Sequence, residues 1–441
     1  MNENGGGAPR PHILVVGAGF GGLTFCQRFA CAEARVTLVD RQNHHLFQPL
    51  LYQVATAGLS APEIAQPIRS ILRNKPNVTV LLREVKGFDL DRREAWLGDK
   101  VLGYDYLVLA LGGVTSYYNH PEWEAYAPGL KSLEDALRIR RQVLLAFERA
   151  ENSDDPAERR RLMTLVVVGG GPTGIELAGA FAELARYVLR RDFRRIDPRQ
   201  ARVVLLEAAP RLLGQFSERL AAKATARLAK LGVDVRTNVR VEVIGDGFLR
   251  LAEGTRLESA TIIWAAGVAA HPLSRTLGTE LDRAGRVRVN PDLSVPGHPE
   301  VFVIGDLALV RDERGQAVPG VSPAAMQMAR HVARIIEREL RSGGRAPARP
   351  AFKYWNKGTM ATIGRSAAVA QLGKLEFDGW PAWVAWLLVH LVFLIGFRNK
   401  AAVLLQWTYS YFTYRRGSRI VTGAEDFAAQ RPAATRVRDA A

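Results

Sequence analysis

Short apolar runs alternate with helix-like stretches along the first two thirds of the chain. The run ILVV at 13–16 precedes a glycine-rich turn, a stretch of helical character to about residue 34, and the run RVTLVD at 35–40. A strand, a helix and a second strand in this order predict a parallel β-α-β unit. The same order recurs from residue 165, where LVVV precedes a second glycine-rich turn. The pattern therefore predicts two α/β units of the same kind.

The first glycine-rich turn has the spacing G-x-G-x-x-G. Gly17 permits the tight turn, Gly19 lets a pyrophosphate approach the main chain, and Gly22 lets the helix pack closely on the strand. The helix that follows offers free N–H groups and the positive end of its dipole to an anion. Asp40 ends the next strand about 20 residues on, where a carboxylate accepts a hydrogen bond from a ribose hydroxyl. These features predict a dinucleotide site.

The second turn repeats this arrangement with Gly169, Gly171 and Gly174, and its second strand ends in Glu207. The Arg-rich segment RRDFRRIDPRQ lies between its helix and that strand and lengthens the spacing. Two sites suit an enzyme that holds one dinucleotide as a redox carrier and receives another as hydride donor. A flavin is the natural carrier, because it accepts a hydride and can release electrons to a different acceptor. A duplicated fold with one inactive site is the alternative.

Two further strands end in residues that suit a flavin site. YDYLVLALGG at 104–113 ends in a glycine pair that includes Gly112, and PEVFVIGDLA at 299–308 contains Asp306. Glycine allows close approach of the main chain, and an acid at the end of a strand can hold a ribityl hydroxyl or lie near the pyrophosphate. Ordinary turn chemistry would also place Gly-Asp after a strand.

The order of these motifs resembles the two-dinucleotide flavoprotein superfamily that includes glutathione reductase. Within that superfamily, three segments resemble the type II, non-proton-pumping NADH:quinone oxidoreductases: DRQNHHLFQPLLYQVATAGLS at 40–60, VPGVSPAAMQMARHVA at 318–333 and KGTMATIGRSAAV at 357–369. The resemblance covers nearly the whole chain after residue 11. It implies that NADH passes a hydride to FAD and that two electrons continue to a membrane quinone.

The resemblance also implies a role for individual residues. Glu176 matches a glutamate near the contact of nicotinamide and flavin, although it could instead cap or salt-bridge its own helix. Gln327 matches the second glutamine of an A-Q-x-x-x-Q motif in the quinone pocket, whereas Pro323 replaces the first glutamine, which bears on how the quinone head is anchored. Glu176 and Gln327 are the expected positioning and proton-handling groups of catalysis. The residues implied for FAD are Gly17, Gly19, Gly22, Asp40, Gly112 and Asp306, and those implied for NADH are Gly169, Gly171, Gly174 and Glu207.

The two cysteines, Cys26 and Cys31, have the C-x-x-x-x-C spacing that disulfide reductases of this superfamily place beside the flavin. Here both are expected on the helix of the first turn. Residues five apart on a helix point about 140° away from each other, so the pair could not close. We expect both to be packing residues. No C-x-x-C pair is present, and no metal site is predicted.

An apolar segment, WPAWVAWLLVHLVFLIGF at 380–397, is followed by RNK and by AAVLLQWTYSYFTYRRGSR at 401–419. Helical spacing places Leu404, Trp407, Tyr411 and Tyr414 on one face. Aromatic residues flanked by basic ones favour a helix that lies in the membrane interface. A spanning helix and a core or homodimer helix are the alternatives. The flanking basic residues are Arg398, Lys400, Arg415, Arg416 and Arg419.

The chain has a formal net charge of +16, which favours an anionic partner surface. No nucleic-acid-binding module with interleaved stacking aromatics is visible, so we expect an anionic membrane and no nucleic acid. The polar N-terminus, MNENGGGAPRPH, does not resemble a signal peptide. We therefore expect a peripheral, monotopic enzyme on the cytoplasmic face of the cell membrane.

The predicted fold class is α/β, with two Rossmann-like domains and a C-terminal membrane-associating helical segment. We expect an FAD-binding domain from residues 11–120 and 266–345, an NADH-binding domain at 121–265, and a cap and anchor at 350–441. The functional alternatives are a soluble NAD(P)H reductase for a ferredoxin-like protein or dye, and a non-enzymatic, flavin-bound redox sensor.

Overall fold

The computed structural model describes residues 10–313, 315–342, 348–413 and 417–421, and these form two compact units. Unit 1 consists of the described residues of Met1–Leu46, Ala65–Val114 and Val268–Lys357, and unit 2 of those of Phe47–Ile64, Thr115–Gly267 and Gly358–Ala441. In chain order, the α-helices are α1 (Phe20–Arg28), α2 (Leu51–Ala55), α3 (Ala61–Ile64), α4 (Ile68–Ile71), α5 (Leu133–Asn152), α6 (Pro156–Leu162), α7 (Pro172–Glu183), α8 (Glu218–Lys230), α9 (Ser322–Arg341), α10 (Gly379–Phe393) and α11 (Phe397–Thr413).

Unit 1 is built on a six-stranded sheet whose central strands are parallel. All five residues of His12–Val16 are buried, as expected for a parallel strand covered on both faces. This strand pairs with Arg35–Asp40 on one side and Tyr106–Leu109 on the other, so the first glycine turn lies where the strand order reverses. Ligands of open α/β sheets bind at such a point. The strand order is Ser294–Val295, His298–Val303, Tyr106–Leu109, His12–Val16, Arg35–Asp40 and Val78–Leu82.

Unit 2 repeats this plan on a four-stranded parallel sheet. Its central strand, Thr164–Val168, is also fully buried and leads into the second glycine turn. A capping box at Ser132 and Asp135 fixes the start of α5. The parallel order is Val233–Arg236, Arg202–Leu206, Thr164–Val168 and Thr261–Trp264; two antiparallel sheets contain Val241–Gly245, Phe248–Leu251 and Arg256–Glu258, and Thr359–Thr362, Ala368–Leu372 and Leu375–Asp378.

The remaining strands and short helices connect these layers. The other strands are His44–Leu46 with Ala65–Pro67, Gly87–Asp89 with Glu94–Trp96 and Val101–Gly103, Val287–Arg288 with Ala308–Leu309, and Gly113–Thr115 and Val268–Ala270. The 3₁₀ turns are Gln48–Leu50, Pro121–Ala125, Leu189–Arg191, Pro198–Gln200, Pro272–Leu277 and Gly305–Leu307, and one π-helical turn is Leu184–Val188.

Two helix boundaries differ from the sequence prediction. The first helix ends at Arg28 rather than near residue 34, because the main chain turns extended at Phe29, whose side chain is buried. Cys31 therefore lies outside the helix that was expected to carry it. The apolar stretch at 380–397 is divided between α10 and α11, and Gly396 between them has φ +86°, which L side chains rarely adopt. The prediction of two Rossmann-like domains is confirmed.

Candidate functional site: two nucleotide turns and an aromatic cavity

The first glycine turn is tight on its inner side and open at one position. A Cβ atom on Gly17, whose φ is +98°, would lie 2.5 Å from the carbonyl oxygen of Ala110, and one on Gly22 would lie 1.8 Å from that of Gly17. A Cβ on Gly19 would have no atom within 4 Å. Gly19 is also the N-cap of α1 and makes no side-chain capping bond. The turn therefore offers N–H groups to an anion at Gly19.

Asp40 joins this turn to the end of the second strand of unit 1. Its Oδ2 accepts a hydrogen bond of 2.5 Å from the main-chain N–H of Ala18, and its Oδ1 accepts one of 2.7 Å from Gln42. A carboxylate has about four acceptor positions, so it retains capacity for a ribose hydroxyl. The acid both stabilises the turn and remains a possible ligand-binding group.

Gly112 and Asp306 lie in the same unit, at the ends of adjacent strands. Gly112 has φ +70° and open space around the position of a Cβ. Glycines surround the Asp306 carboxyl group, since a Cβ on Gly320 would lie 3.0 Å from Oδ1 and one on Gly113 would lie 3.4 Å from Oδ2. The open turn, the two acids and these glycines fit FAD, with its pyrophosphate at Gly19.

The second turn, in unit 2, reproduces the geometry of the first. A Cβ on Gly174 would lie 1.8 Å from the carbonyl oxygen of Gly169, whereas one on Gly171 would meet no atom within 4 Å. Glu207 accepts hydrogen bonds from the N–H of Gly170 at 2.5 Å and of Ala209 at 2.7 Å. The arrangement is the one that Asp40 makes in unit 1. It fits a second dinucleotide.

Arg211, which could have favoured a 2′-phosphate beside Glu207, is engaged elsewhere. Its guanidinium donates to the carbonyl oxygens of Phe216 at 2.8 Å and Gly214 at 3.0 Å. Glu207 therefore faces the ribose position without this cation as a partner. A carboxylate there accepts from a 2′-hydroxyl and repels a 2′-phosphate.

A cavity of about 130 Å³ lies within unit 2. Its apolar part is strongly aromatic, with Trp386 stacked on His390 at 3.9 Å and Trp383 stacked on Tyr411 at 5.5 Å between ring centroids. Its polar part includes two carboxylates of α7, Glu176 and Glu183. Its lining residues are Tyr52, Gln53, Thr56, Gly58, Glu176, Ala180, Glu183, Val188, Thr362, Gly364, Arg365, Trp383, Trp386, Leu387, Trp407, Ser410 and Tyr411.

Glu176 is partly buried and lines this cavity. Its one hydrogen bond to a described residue is a long one, 3.5 Å from the main-chain N–H of Thr362 to Oε1. Burial raises the pKa of Glu176 to about 8, and this weak bond lowers it only slightly. At neutral pH the carboxyl group is therefore largely protonated. Among the described residues, these contacts give Glu176 neither a helix-capping bond nor a salt bridge.

A chain of polar side chains crosses the cavity wall from α11 to the strand beside Glu176. The indole N–H of Trp407 donates to Oε1 of Gln53 at 2.8 Å, and Nε2 of Gln53 donates to the hydroxyl of Tyr52 at 3.0 Å. The Tyr52 hydroxyl also bonds to Oγ1 of Thr362 at 3.0 Å. The chain places hydrogen-bonding groups around an otherwise apolar space, as small-molecule sites require.

Gln327 lies on α9 in unit 1, and its amide binds the main chain of Trp355. Nε2 donates to the Trp355 carbonyl oxygen and Oε1 accepts from the Trp355 N–H, each at 3.0 Å. Both ends of the amide are thus used within unit 1. Pro323 lies in the first turn of α9, where its missing N–H leaves no helical hydrogen bond unmade.

The C-terminal helices differ from the predicted interfacial face. Trp407 and Tyr411 line the cavity, whereas Leu404 is half exposed, so the three do not share one outward face. The exposed face of α11 contains Leu405 and Phe412, which are 70 % and 77 % exposed. The face differs from the prediction because Trp407 of α11 packs against Trp386 of α10. Tyr414, Arg415 and Arg416 lie outside the described residues.

Other predicted features can be located directly. Cys26 and Cys31 are both buried and free, and burial raises the pKa of the Cys26 thiol to about 12. In the part of the chain that the structure describes, no group of three metal-binding side chains occurs. Within the same residues, no helix is both long enough and apolar enough to cross a membrane.

Sequence reasoning did not assign roles to several cavity residues, although it noted the segments that contain them. Tyr52 and Gln53 belong to the segment at 40–60, and Thr362 belongs to that at 357–369. These segments are far apart in sequence and meet only in the folded unit. The unusual density of tryptophan at 380–407 was the available signal for an aromatic site.

Comparison with known protein families defines the class of protein. Residues 11–329 match the family described as pyridine nucleotide-disulphide oxidoreductase, in agreement with the two dinucleotide turns. Residues 356–416 match the NDH2 C-terminal domain. The type II NADH:quinone oxidoreductase Ndh of Mycobacterium tuberculosis is 45% identical over 438 residues, which cover 96% of this chain and 93% of that protein. The chain belongs to the type II NADH:quinone oxidoreductase family.

Two further comparisons agree with this assignment. A second Mycobacterium tuberculosis protein, the type II NADH:quinone oxidoreductase NdhA, is 46% identical over 426 residues, covering 94% of this chain and 90% of its own. The structure of NDH2 from Plasmodium falciparum in complex with NADH has a TM-score of 0.85 at 20% identity, covering 93% of this chain and 100% of that one. The structural likeness supports the fold. Family membership confirms the oxidoreductase class and the FAD and NADH cofactors expected from the sequence.

Proposed function

We propose that this protein oxidises NADH through bound FAD and reduces a quinone in the unit 2 cavity, without pumping protons. Bound FAD supplies the chemistry of accepting a hydride and releasing two electrons to a different acceptor. Gly17, Gly19, Gly22, Asp40, Gly112 and Asp306 hold FAD, and Gly169, Gly171, Gly174 and Glu207 hold NADH. Family membership and the paired geometry of the two turns support this assignment.

The observation that carries the quinone assignment is a partly buried carboxyl group, that of Glu176, in the wall of an aromatic cavity. Flat aromatic walls suit a quinone ring, which prefers offset stacking. Tyr52 and the protonated Glu176 can donate hydrogen bonds to its carbonyl oxygens. Glu176 holds a proton for the reduced quinone, because burial raises its pKa to about 8. Gln327 acts by positioning the main chain at Trp355.

The membrane assignment rests on exposed apolar side chains of α10 and α11. Leu388, Val392, Leu405 and Phe412 are among the exposed large hydrophobic residues. With the net charge of +16, they favour a monotopic attachment to an anionic membrane. The quinone is lipid-soluble, so an acceptor cavity bordered by these two helices is suitably placed to receive it. We propose attachment at the cytoplasmic face, and a homodimer as a further arrangement that sedimentation would test.

The domain assignment from the sequence is part of the same proposal. Residues 11–120 and 266–345 supply the FAD-binding domain, residues 121–265 the NADH-binding domain, and residues 350–441 the cap and anchor.

Anaerobic reduction and reoxidation of the purified protein test the function. One equivalent of NADH should bleach the flavin absorbance, and a quinone should restore it within the time of steady-state turnover. In a matched pair of variants, Thr56→Leu should weaken the quinone reaction by filling the cavity, whereas Thr276→Leu, in unit 1, should not. Rapid reoxidation by a ferredoxin or dye with none by quinone would instead favour the soluble reductase. Absence of NADH turnover would favour the redox sensor.

A further inference from the structure

Three residues of α7 lie along the cavity wall: Glu176, Ala180 and Glu183. Their i, i+4, i+7 spacing places them on one face of the helix. A rise of 1.5 Å per residue separates the two glutamates by about 10 Å along the axis. Ala180, between them, has the smallest side chain apart from glycine, which would give the main chain more conformational freedom. A carboxyl group therefore lies on either side of Ala180 along this wall.

Reduction of a quinone in this cavity consumes protons. The balanced reaction is NADH + H⁺ + quinone → NAD⁺ + quinol, in which the quinone gains two electrons and two protons. After Glu176 gives its proton to the reduced quinone, it must be protonated again before the next turnover. The indole N–H groups of the surrounding tryptophans are donors without acceptor capacity and cannot relay protons. Carboxyl and hydroxyl groups can.

Glu183 is the nearest second carboxyl group on the same face. It is only 9 % exposed, and its Oε1 accepts a short hydrogen bond from the main-chain N–H of Arg365. It lies one helical turn before Tyr187, whose side chain is 42 % exposed. Arg365 lies beside it, with its guanidinium 4.1 Å from the centre of the Tyr411 ring.

Tyr52 links the two glutamates electrostatically. After burial, which is the largest cause, the charges of Glu176 and then Glu183 contribute to raising the pKa of Tyr52. Its hydroxyl group therefore lies in the electrostatic field of both carboxyl groups. The cavity has about 130 Å³ and a water needs roughly 10–15 Å³, so water can enter the cavity once the quinol has left it. Several waters can complete the path.

We infer that Glu183 returns a proton to Glu176 along this face of α7 after each quinone reduction. This inference rests on the proposed function of the cavity. In the step, an O–H bond of the Glu183 carboxyl group breaks and one on Glu176 forms, through Tyr52 or water, and Glu183 then takes a proton from solvent. Glu183 acts through Glu176, as a relay residue. The competing explanation is that it only holds the loop at Arg365.

Two oxidants separate these explanations in the NADH-reduced holoenzyme. A short-chain quinone takes up protons, whereas ferricyanide takes electrons alone. Glu183→Gln keeps an acceptor oxygen for the Arg365 N–H. We expect stopped-flow reoxidation by quinone to slow at least tenfold, with a larger solvent isotope effect in D₂O, and reoxidation by ferricyanide to stay within twofold. Glu183→Asp should react with quinone faster than Glu183→Gln but more slowly than the unmodified protein, and Glu148→Gln, on the exposed face of α5, should match the unmodified protein.

The inference is overturned if Glu183→Gln reacts with quinone at the unmodified rate, or if it slows quinone and ferricyanide equally. Retained flavin and an unchanged melting temperature are required for the comparison. If Glu183→Gln loses flavin, Glu183→Asp is compared with the unmodified protein instead. A relay then predicts slower reoxidation by quinone in Glu183→Asp and unchanged reoxidation by ferricyanide. Failure of the proposed function gives a different result, because neither Glu176→Gln nor Ala180→Phe would then change the quinone reaction.

Discussion

The substitution Gly171→Ala should weaken NADH binding without destabilising the protein. Gly171 has φ −73°, which alanine adopts freely, and an added Cβ would meet no atom within 4 Å. Removing a glycine from a compatible position stabilises by about 0.4–1 kcal/mol through the unfolded chain. Replacing glycine by alanine at an N-cap costs a comparable amount. We therefore expect a free energy of unfolding within about 1 kcal/mol of the unmodified value.

The same methyl group would occupy the space through which a pyrophosphate approaches the N–H groups of the turn. Loss of one hydrogen bond to a charged group costs about 1.5–3 kcal/mol. Since about 1.4 kcal/mol corresponds to tenfold, the Kd for NADH should rise about 10- to 100-fold. The Kd can be measured by anaerobic stopped-flow reduction at increasing NADH concentration, and stability by thermal unfolding of the same sample. Flavin content should not change.

Two other glycines provide the controls. Gly174→Ala places a Cβ 1.8 Å from the carbonyl oxygen of Gly169 and should destabilise the protein as well as abolish NADH binding. Gly103→Ala, whose nearest neighbouring atom is 4.0 Å away in unit 1, should change neither property. An unchanged Kd for NADH in Gly171→Ala would refute the reasoning. So would a loss of stability as large as that of Gly174→Ala.

Four other outcomes are expected. Acid precipitation should release FAD into the supernatant, and flavin retained in the pellet would contradict non-covalent binding. NADH should exceed NADPH in kcat/KM by at least about tenfold, and Glu207→Gln should narrow the ratio by relieving repulsion of the 2′-phosphate. Quinone reduction should fall as pH rises through about 8, where Glu176 loses its proton, and Glu176→Gln should be slower but insensitive to pH in this range. Folding raises the pKa of Glu176 from 4.5 to about 8, so the stability that neutral Glu176 contributes is complete below about pH 4.5 and is lost as pH rises through 8. The melting temperature of Glu176→Gln should therefore rise relative to that of the unmodified protein across this pH window. The double variant Leu405→Glu/Phe412→Glu should lower vesicle binding at least about 100-fold, since each side chain that is buried in the membrane contributes about 1.5–3 kcal/mol. Val101→Glu, in unit 1, should not change vesicle binding. Equal binding of these two proteins would place the membrane attachment elsewhere.

The two nucleotide turns were predictable because their chemistry is local. A buried strand, the G-x-G-x-x-G spacing and a terminal acid are all set within about 40 residues, and each glycine has a steric reason that the sequence already implies. The structure adds that Asp40 and Glu207 each accept a hydrogen bond from the second residue of their turn, at Ala18 and Gly170. The family was also predictable, since its motifs are contiguous segments.

The cavity of unit 2 was harder to predict from the sequence, because its residues come from distant parts of the chain. Tyr52, Glu176, Thr362 and Trp407 are brought together only by packing within unit 2. Helical spacing alone gave an apolar face to α11, but it could not tell which aromatic side chains pack against α10. The direction of Trp407 depends on its hydrogen bond to Gln53, 354 residues earlier.

The sequence by itself determined the two α/β units, their glycine turns, their terminal acids and the family, because local sterics and hydrogen bonding specify these features. Only the tertiary structure decided that residues 47–64 and the described residues from 358 to 421 pack in the unit of the second turn. It also decided that Gln327 binds the main chain of Trp355 and that burial raises the pKa of Glu176 to about 8. The physical reason is that desolvation and side-chain partners depend on every element that surrounds a group, and that environment exists only after the chain has folded.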